Sequence, residues 1–223
     1  MVDHTEDPDL QTIYITSEDQ EKPATNLKYP RLYGHHLCPF VEKVRLGFAA
    51  KGVKYQRADV DLSRRTKWHL AINEGKIPIL ELPDGTILIE SKIILEYLEE
   101  TYPDQGVKTL PTDPKERALL RLDFPLIESL IPDFYAIFIA KGKNPDDFPK
   151  LRAKLQKLED YLNNKAKDSV FAWGTDHVTQ LDFHFYPHLV RIAFLKDSAY
   201  HSVYYEKVGF EDFPRIQKYL NDI

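Results

Sequence analysis

Every strand-like segment of this 223-residue chain lies before Ser91, and every periodic segment beyond Pro114 is helical. A chain divided in this way predicts a small α/β part followed by an all-α part. Residues 31–33 read as a short strand and 34–37 as a loop. Pro39 then stands in a first helical turn, where its missing N–H costs nothing. Val41, Val44, Leu46, Phe48 and Ala49 fit one buried helical stripe, which Lys51-Gly52 stops. Residues 55–60 form a second strand and 66–73 a weaker helix. Two apolar runs, 77–82 and 86–89, flank Pro83-Asp84-Gly85 and predict an antiparallel hairpin. Ser91 is the expected N-cap of a helix reaching Tyr102. The order is β-α-β-α-β-β-α.

Residues 1–28 form an N-terminal extension, polar apart from 10–16 (LQTIYIT), which reads equally as a short strand or as an irregular surface arm. The α/β domain occupies 29–102, and 103–114, with its three prolines, is a linker. The helical domain, 115–223, carries periodic runs at 114–140, 146–167, 179–194 and 214–221. Pro125 and Pro132 should divide the first of these. Thr179 to Asp182 is a capping box, with Val178 and Phe183 as its staple.

Hydrophobic residues at 43% and charged residues at 29% describe a globular chain, and a net charge of −5 argues against nucleic acid or an anionic membrane as partner. No apolar run approaches the length of a membrane span. Residues 1–11 lack the basic start and apolar stretch of a secretory signal, and a lone cysteine suits a reducing compartment, so a cytoplasmic location is expected. Eight histidines raise the question of a metal. Neither His184 with His188 nor His35 and His36 with Cys38 completes a four-ligand pattern, so no metal is expected.

The chemistry concentrates at His35-His36-Leu37-Cys38-Pro39-Phe40-Val41. A thiol just ahead of a helix faces backbone N–H groups and the positive end of the helix dipole, and both favour the thiolate. The other reading of a lone cysteine is a small, inert core residue. Val41 stands where a CxxC motif would place its second thiol, so any mixed disulfide on Cys38 must be resolved by an external thiol. Ile77-Pro78 enters a strand after Gly75. It is either a cis bond that turns the Ile77 backbone toward a ligand or a trans proline capping an edge strand. Glu90-Ser91 suits an amino-acid head group, the carboxylate at the helix N-terminus and the ammonium on Glu90, and it also reads simply as a cap.

Taken in order, Cys38-Pro39-Phe40, the helix ending Lys51-Gly52-Val53, Trp68, Ile77-Pro78, Glu90-Ser91, the run 95–98, Tyr102-Pro103, the run 113–118 and the Thr179 capping box resemble the cytosolic glutathione transferase superfamily, with an omega-class, Cys-type character. The resemblance implies a thioredoxin-like N-terminal domain, an all-α C-terminal domain and a homodimer. It also implies glutathione as co-substrate, a small electrophile or oxidised substrate, and thiol transfer or dehydroascorbate reduction. Cys38 would be the nucleophile, with Phe40, Arg65, Ile77, Pro78, Glu90 and Ser91 binding glutathione. Arg65, three residues before Trp68, takes the place of a family lysine. His36, Phe124, Tyr135 and Phe138 are candidates for a second pocket, an aromatic core stripe being the other reading of the last three. Two other functions are weighed: conjugation of glutathione to electrophiles, and a non-enzymatic glutathione-binding scaffold. The loop 73–77 is shorter and more charged than the family's usual Asn-Pro-aromatic-Gly version.

Overall fold

Around the Pro-Asp-Gly turn the expected hairpin forms. In the computed structural model, which describes residues 7–138, 144–197 and 202–223, β4 (Ile79–Glu81) and β5 (Ile87–Ile89) pair antiparallel, with Leu80 opposite Leu88. The other flank of β4 pairs antiparallel with β2 (Arg31–Gly34), Tyr33 opposite Ile79 and Arg31 opposite Glu81. On the far side of β2 lies β3 (Gln56–Val60), parallel to it. Residues 13–15, left open as strand or arm, form β1 (Ile13–Ile15), which extends the sheet by pairing parallel with β3. The sheet order is β1-β3-β2-β4-β5, a mixed five-stranded thioredoxin-like sheet.

Strand alternation sorts the apolar residues onto two faces. Leu32 and Leu80 pack with Val41, Val44 and Phe48 of α1 (Pro39–Lys51) and Ile94 and Leu98 of α3 (Ser91–Thr101). On the opposite face, Tyr33, Ile79, Ala58, Val60 and Ile15 pack with Trp68 and Ile72 of α2 (Lys67–Asn73). Fully buried side chains of this size contribute about 1.5–3 kcal/mol each.

The second face also carries a buried polar network. Glu81, 1% exposed, accepts hydrogen bonds from the Tyr33 hydroxyl (2.8 Å), the Thr25 hydroxyl (2.8 Å) and Arg31 Nη1 (3.3 Å), and it also pairs with the Lys22 ammonium. Arg31 Nε donates to Gln56 Oε1 (2.8 Å), which also accepts from Asn26, and Gln56 Nε2 reaches the Gln11 carbonyl. Trp68 Nε1 donates to the Gln20 carbonyl at 3.0 Å. Residues of the 7–28 segment are thereby fastened to β2, β3, β4 and α2.

The chain divides between Lys108 and Thr109, inside the segment read as a linker. The second unit is helical among its described residues, with α4 (Pro114–Leu122), α5 (Phe124–Glu128), α6 (Ile131–Phe138), α7 (Asp147–Tyr161), α8 (Gln180–Phe194), α9 (Ser202–Val208) and α10 (Pro214–Asp222). Pro125 and Pro132 sit in the first turns of α5 and α6, so the long run predicted from 114 breaks where each proline's missing N–H does no harm. Helix α8 passes through Pro187 without interruption. The capping box forms: Thr179 N–H and Oγ1 donate to Asp182 Oδ2 at 2.8 and 3.0 Å. Asp182 also accepts from Ala172 N–H and the Tyr219 hydroxyl. Glu159 of α7 caps α10 through the Arg215 and Ile216 N–H groups, at 2.8 and 2.9 Å.

Glu81 sets a pH dependence. Burial opposes its charge, but hydrogen bonds from Lys22, Tyr33 and Thr25 outweigh that cost and hold its carboxyl below its ordinary value of 4.5. A carboxyl depressed on folding stabilises the native state above its unfolded pKa, and the contribution fades as pH falls through the folded value. In urea unfolding at pH 7, Glu81→Gln should lose about 3–5 kcal/mol, since it strands a buried Arg31. The gap to wild type should narrow below pH 4.5. A constant gap across that range would contradict the ionised pair.

Candidate functional site

Since β2 and β4 run antiparallel, the end of β2 and the start of β4 lie at the same end of the sheet. Gly34 ends β2, and α1 passes so close over it that a β-carbon there would come within 2.4 Å of Val41 Cγ1. Val41 is fully buried and β-branched, so it has little room to yield. This close approach sets where α1 begins.

Cys38 is the N-cap of α1, with extended backbone (φ −79°, ψ 119°), and Pro39 follows in the first turn. Its N–H donates to the His35 carbonyl (3.0 Å), and its own carbonyl accepts from Glu42 N–H (3.1 Å). The Cys38 side chain makes no cap hydrogen bond to the turn, and the positive end of the helix dipole lies at this junction. The thiol is half-buried beside the Leu32–Val41–Leu80 cluster and forms no disulfide. Lys43 is buried, its ammonium 5.2 Å from the Phe40 ring centre, whereas Arg45 pairs with Asp59 at 3.5 Å.

A cavity of about 240 Å³ opens beside this helix start, lined by Phe40, Asn73, Lys76, Ile77, Pro78, Glu90 and Ser91. Five of the six residues assigned to glutathione by resemblance therefore share one wall. Ile77-Pro78 is cis, and neither the N–H nor the carbonyl of Ile77 is hydrogen-bonded to another described residue. The loop before it is held from inside. His69 Nε2 lies 3.0 Å from the Lys76 carbonyl, an atom that can only accept, so the ring nitrogen donates; Asn73 Nδ2 donates to the same oxygen.

Glu90, not Ser91, is the N-cap of α3. The β5-to-α3 turn needs a positive φ (70°, ψ 112°) at Glu90, which moves Ser91 into the first helical position, buried at the cavity wall. A non-glycine residue held there costs about 1–3 kcal/mol, a cost that recurs at ligand-binding turns.

Arg65 is not among the lining residues; it is exposed, its Cδ packed over Gly75, whose φ of 71° and lack of a β-carbon both suit that contact. Asn73 and Lys76, which the sequence did not single out as ligand residues, take places on the wall. His36 is exposed and stacked on His35 at 4.3 Å. In the second unit Phe124 is buried with its ring 4.1 Å from that of His184, and Tyr135 is partly buried against the same core. The Phe138 side chain lies outside the described residues.

Tyr33 lies one residue before the end of β2. It is fully buried and committed to Glu81 and Arg31. Burial above all drives its pKa far above the ordinary value, Arg31 pulling the other way.

Residues 32–106 match the family model described as "Glutathione S-transferase, N-terminal domain". The chain is 33% identical to glutathione S-transferase omega-1 of Sus scrofa over 170 residues, 74% of this chain and 68% of that one. It is 26% identical to glutathione transferase omega-1 of Caenorhabditis elegans, over 92% of this chain and 81% of the relative. Among solved structures, glutathione transferase Omega 1C from Trametes versicolor superposes with a TM-score of 0.70 at 23% identity, over 87% of this chain and 86% of that one.

With its hydroxyl so committed, Tyr33 should not act on the thiol. Tyr33→Phe should leave the alkylation rate of Cys38 by iodoacetamide unchanged while lowering stability by about 1–3 kcal/mol through the acceptor it abandons. A large fall in alkylation at unchanged stability would contradict this.

Proposed function

The chain is an omega-like member of the glutathione S-transferase family, and we propose that it works as a glutathione-dependent thiol transferase and dehydroascorbate reductase through a mixed disulfide on Cys38. The observation that carries this reading is the position of Cys38 at the N-cap of α1, immediately before the helix turn whose Phe40 lines the Ile77–Glu90–Ser91 cavity. The Cys38 thiolate attacks the glutathione sulfur of a mixed disulfide; the S–S bond breaks, and the other thiol leaves with the electron pair. A second glutathione thiolate then attacks the Cys38–glutathione bond, giving oxidised glutathione and the starting thiolate.

Several features support this cycle. Cys38 is the chain's single cysteine and Val41 is buried in the core, so glutathione must supply the resolving thiol. The backbone groups of Ile77, unbonded to other described residues at the cavity wall, suit pairing with an extended peptide-like ligand. Ser91, at the start of α3, suits a carboxylate, and Glu90 suits the ammonium beside it. Tyr33 is removed from competition as a thiol activator. A homodimer belongs to the same proposal, in keeping with the omega resemblance.

Cys38→Ser should lose thiol transfer by at least about a hundredfold, while conjugation of glutathione to a model electrophile should persist or rise. Full retention of thiol transfer in that variant would rule out the mechanism.

A further inference from the structure

A cavity of about 410 Å³ lies within the helical unit, between the 195–197 turn, α9 and the 210–212 turn. That volume is in the range of small-molecule sites. Tyr205 and Phe210 line it with their ring centres 5.6 Å apart, and the Lys196 ammonium lies 5.9 Å from the Tyr205 ring centre. Lys196 is paired with Glu211 at 2.8 Å, and Asp212 with Arg152 at 2.6 Å. Glu206, exposed on the same wall, makes no ion pair with a described residue. Tyr205 is only 7% exposed, yet its hydroxyl makes no hydrogen bond to a described residue. Burial above all raises its pKa. The charges of Lys196, which lowers it, and Glu211, which raises it, also reach the hydroxyl, so the oxygen lies toward the cavity wall they share. A hydroxyl set so deep is ordinarily hydrogen-bonded, so this one takes its partner from what enters the cavity.

We infer that this cavity binds a small organic cation, a primary ammonium carried on an apolar body. The ammonium donates to the Tyr205 hydroxyl oxygen and to the Glu206 carboxylate, and the apolar body lies against Tyr205 and Phe210. Lys196 already shows that an ammonium is accommodated beside the Tyr205 ring with a carboxylate next to it. Its pair with Glu211 is exposed at both ends (60% and 64%), so it is weak and gives way to an entering cation. Even with Asp212 neutralised by Arg152, Glu206 and Glu211 outnumber Lys196 on the wall, and an anion is disfavoured. The same balance disfavours glutathione here, so the cavity adds a ligand class to the chain.

Calorimetric titration of the full chain with phenethylamine tests the assignment, with phenylacetate as a similar body of opposite charge. Phenethylamine should bind with a Kd of about 1 mM or tighter, and phenylacetate at least about tenfold more weakly. Glu206→Gln should weaken the amine by about three- to tenfold. Tyr205→Phe, which removes only the hydroxyl, should weaken it by about two- to tenfold. Lys196→Gln, which removes the internal competitor and frees Glu211, should tighten it by about two- to fivefold. Glu206 and Lys196 are exposed, so their substitution leaves the fold intact, and urea unfolding checks the Tyr205 variant. Equal affinity for phenylacetate would overturn the proposal, as would amine affinity unmoved by either Glu206→Gln or Tyr205→Phe. So would the absence of amine binding at concentrations well above that Kd.

Discussion

The carboxylate of Glu81 joins the two strands that deliver the site. It stands directly across from Arg31 in the β2–β4 register, and on the same face Tyr33 and the 7–28 segment reach it. One residue beyond Tyr33 is Gly34, where α1 crosses and Cys38 begins its helix; two residues before Glu81 is Ile79, which follows the cis Ile77-Pro78 bond. A buried ion pair is costly unless every lone pair is used, and here the carboxylate meets four partners. The order of the polar network thus fixes the spacing between the thiol and the peptide-like edge at Ile77.

Division of labour follows from that spacing. The helix start supplies positive potential and a half-buried sulfur, the β4 approach supplies unpaired backbone, and the β5–α3 turn supplies a carboxylate and a helix N-terminus. None of these parts is a site alone; a cap is usually only a cap. The last two share one 240 Å³ cavity, which Phe40, two residues after Cys38, also lines, and this gives the omega-like family assignment a physical meaning in this chain. With one cysteine in the chain, Cys38 has no internal thiol with which to form a disulfide.

Much of this was legible in the sequence because it is local. The alternation around Pro83-Asp84-Gly85, the stripe from Val41 to Ala49 and the Thr179 capping box depend on neighbours within a few residues, and all three formed where expected. What the sequence leaves open or hides depends on distant partners. Residues 13–15 become a strand because β3 offers an open edge, not because their own pattern demands it. Glu81 reads as a polar interruption of an apolar run until Lys22, Thr25, Arg31 and Tyr33 surround it. Ser91 looked like a cap because serine favours that position, but the positive φ of Glu90 shifts the helix start by one residue. Helix α9 was missed as well, since its short Ser202–Val208 run carries too little periodicity to stand out. Lys76 went unremarked, and Arg65 was preferred, because spacing from Trp68 says nothing about which cation faces the cavity.

The central claim is that Cys38 itself carries the glutathione between two thiol exchanges. Intact-protein and peptide mass spectrometry after exposure to oxidised glutathione addresses it most directly, since the chain has one cysteine. The account predicts a single glutathione adduct, located on Cys38 and removed by excess reduced glutathione. A chain that turns over glutathione mixed disulfides while Cys38 never acquires the adduct would contradict it.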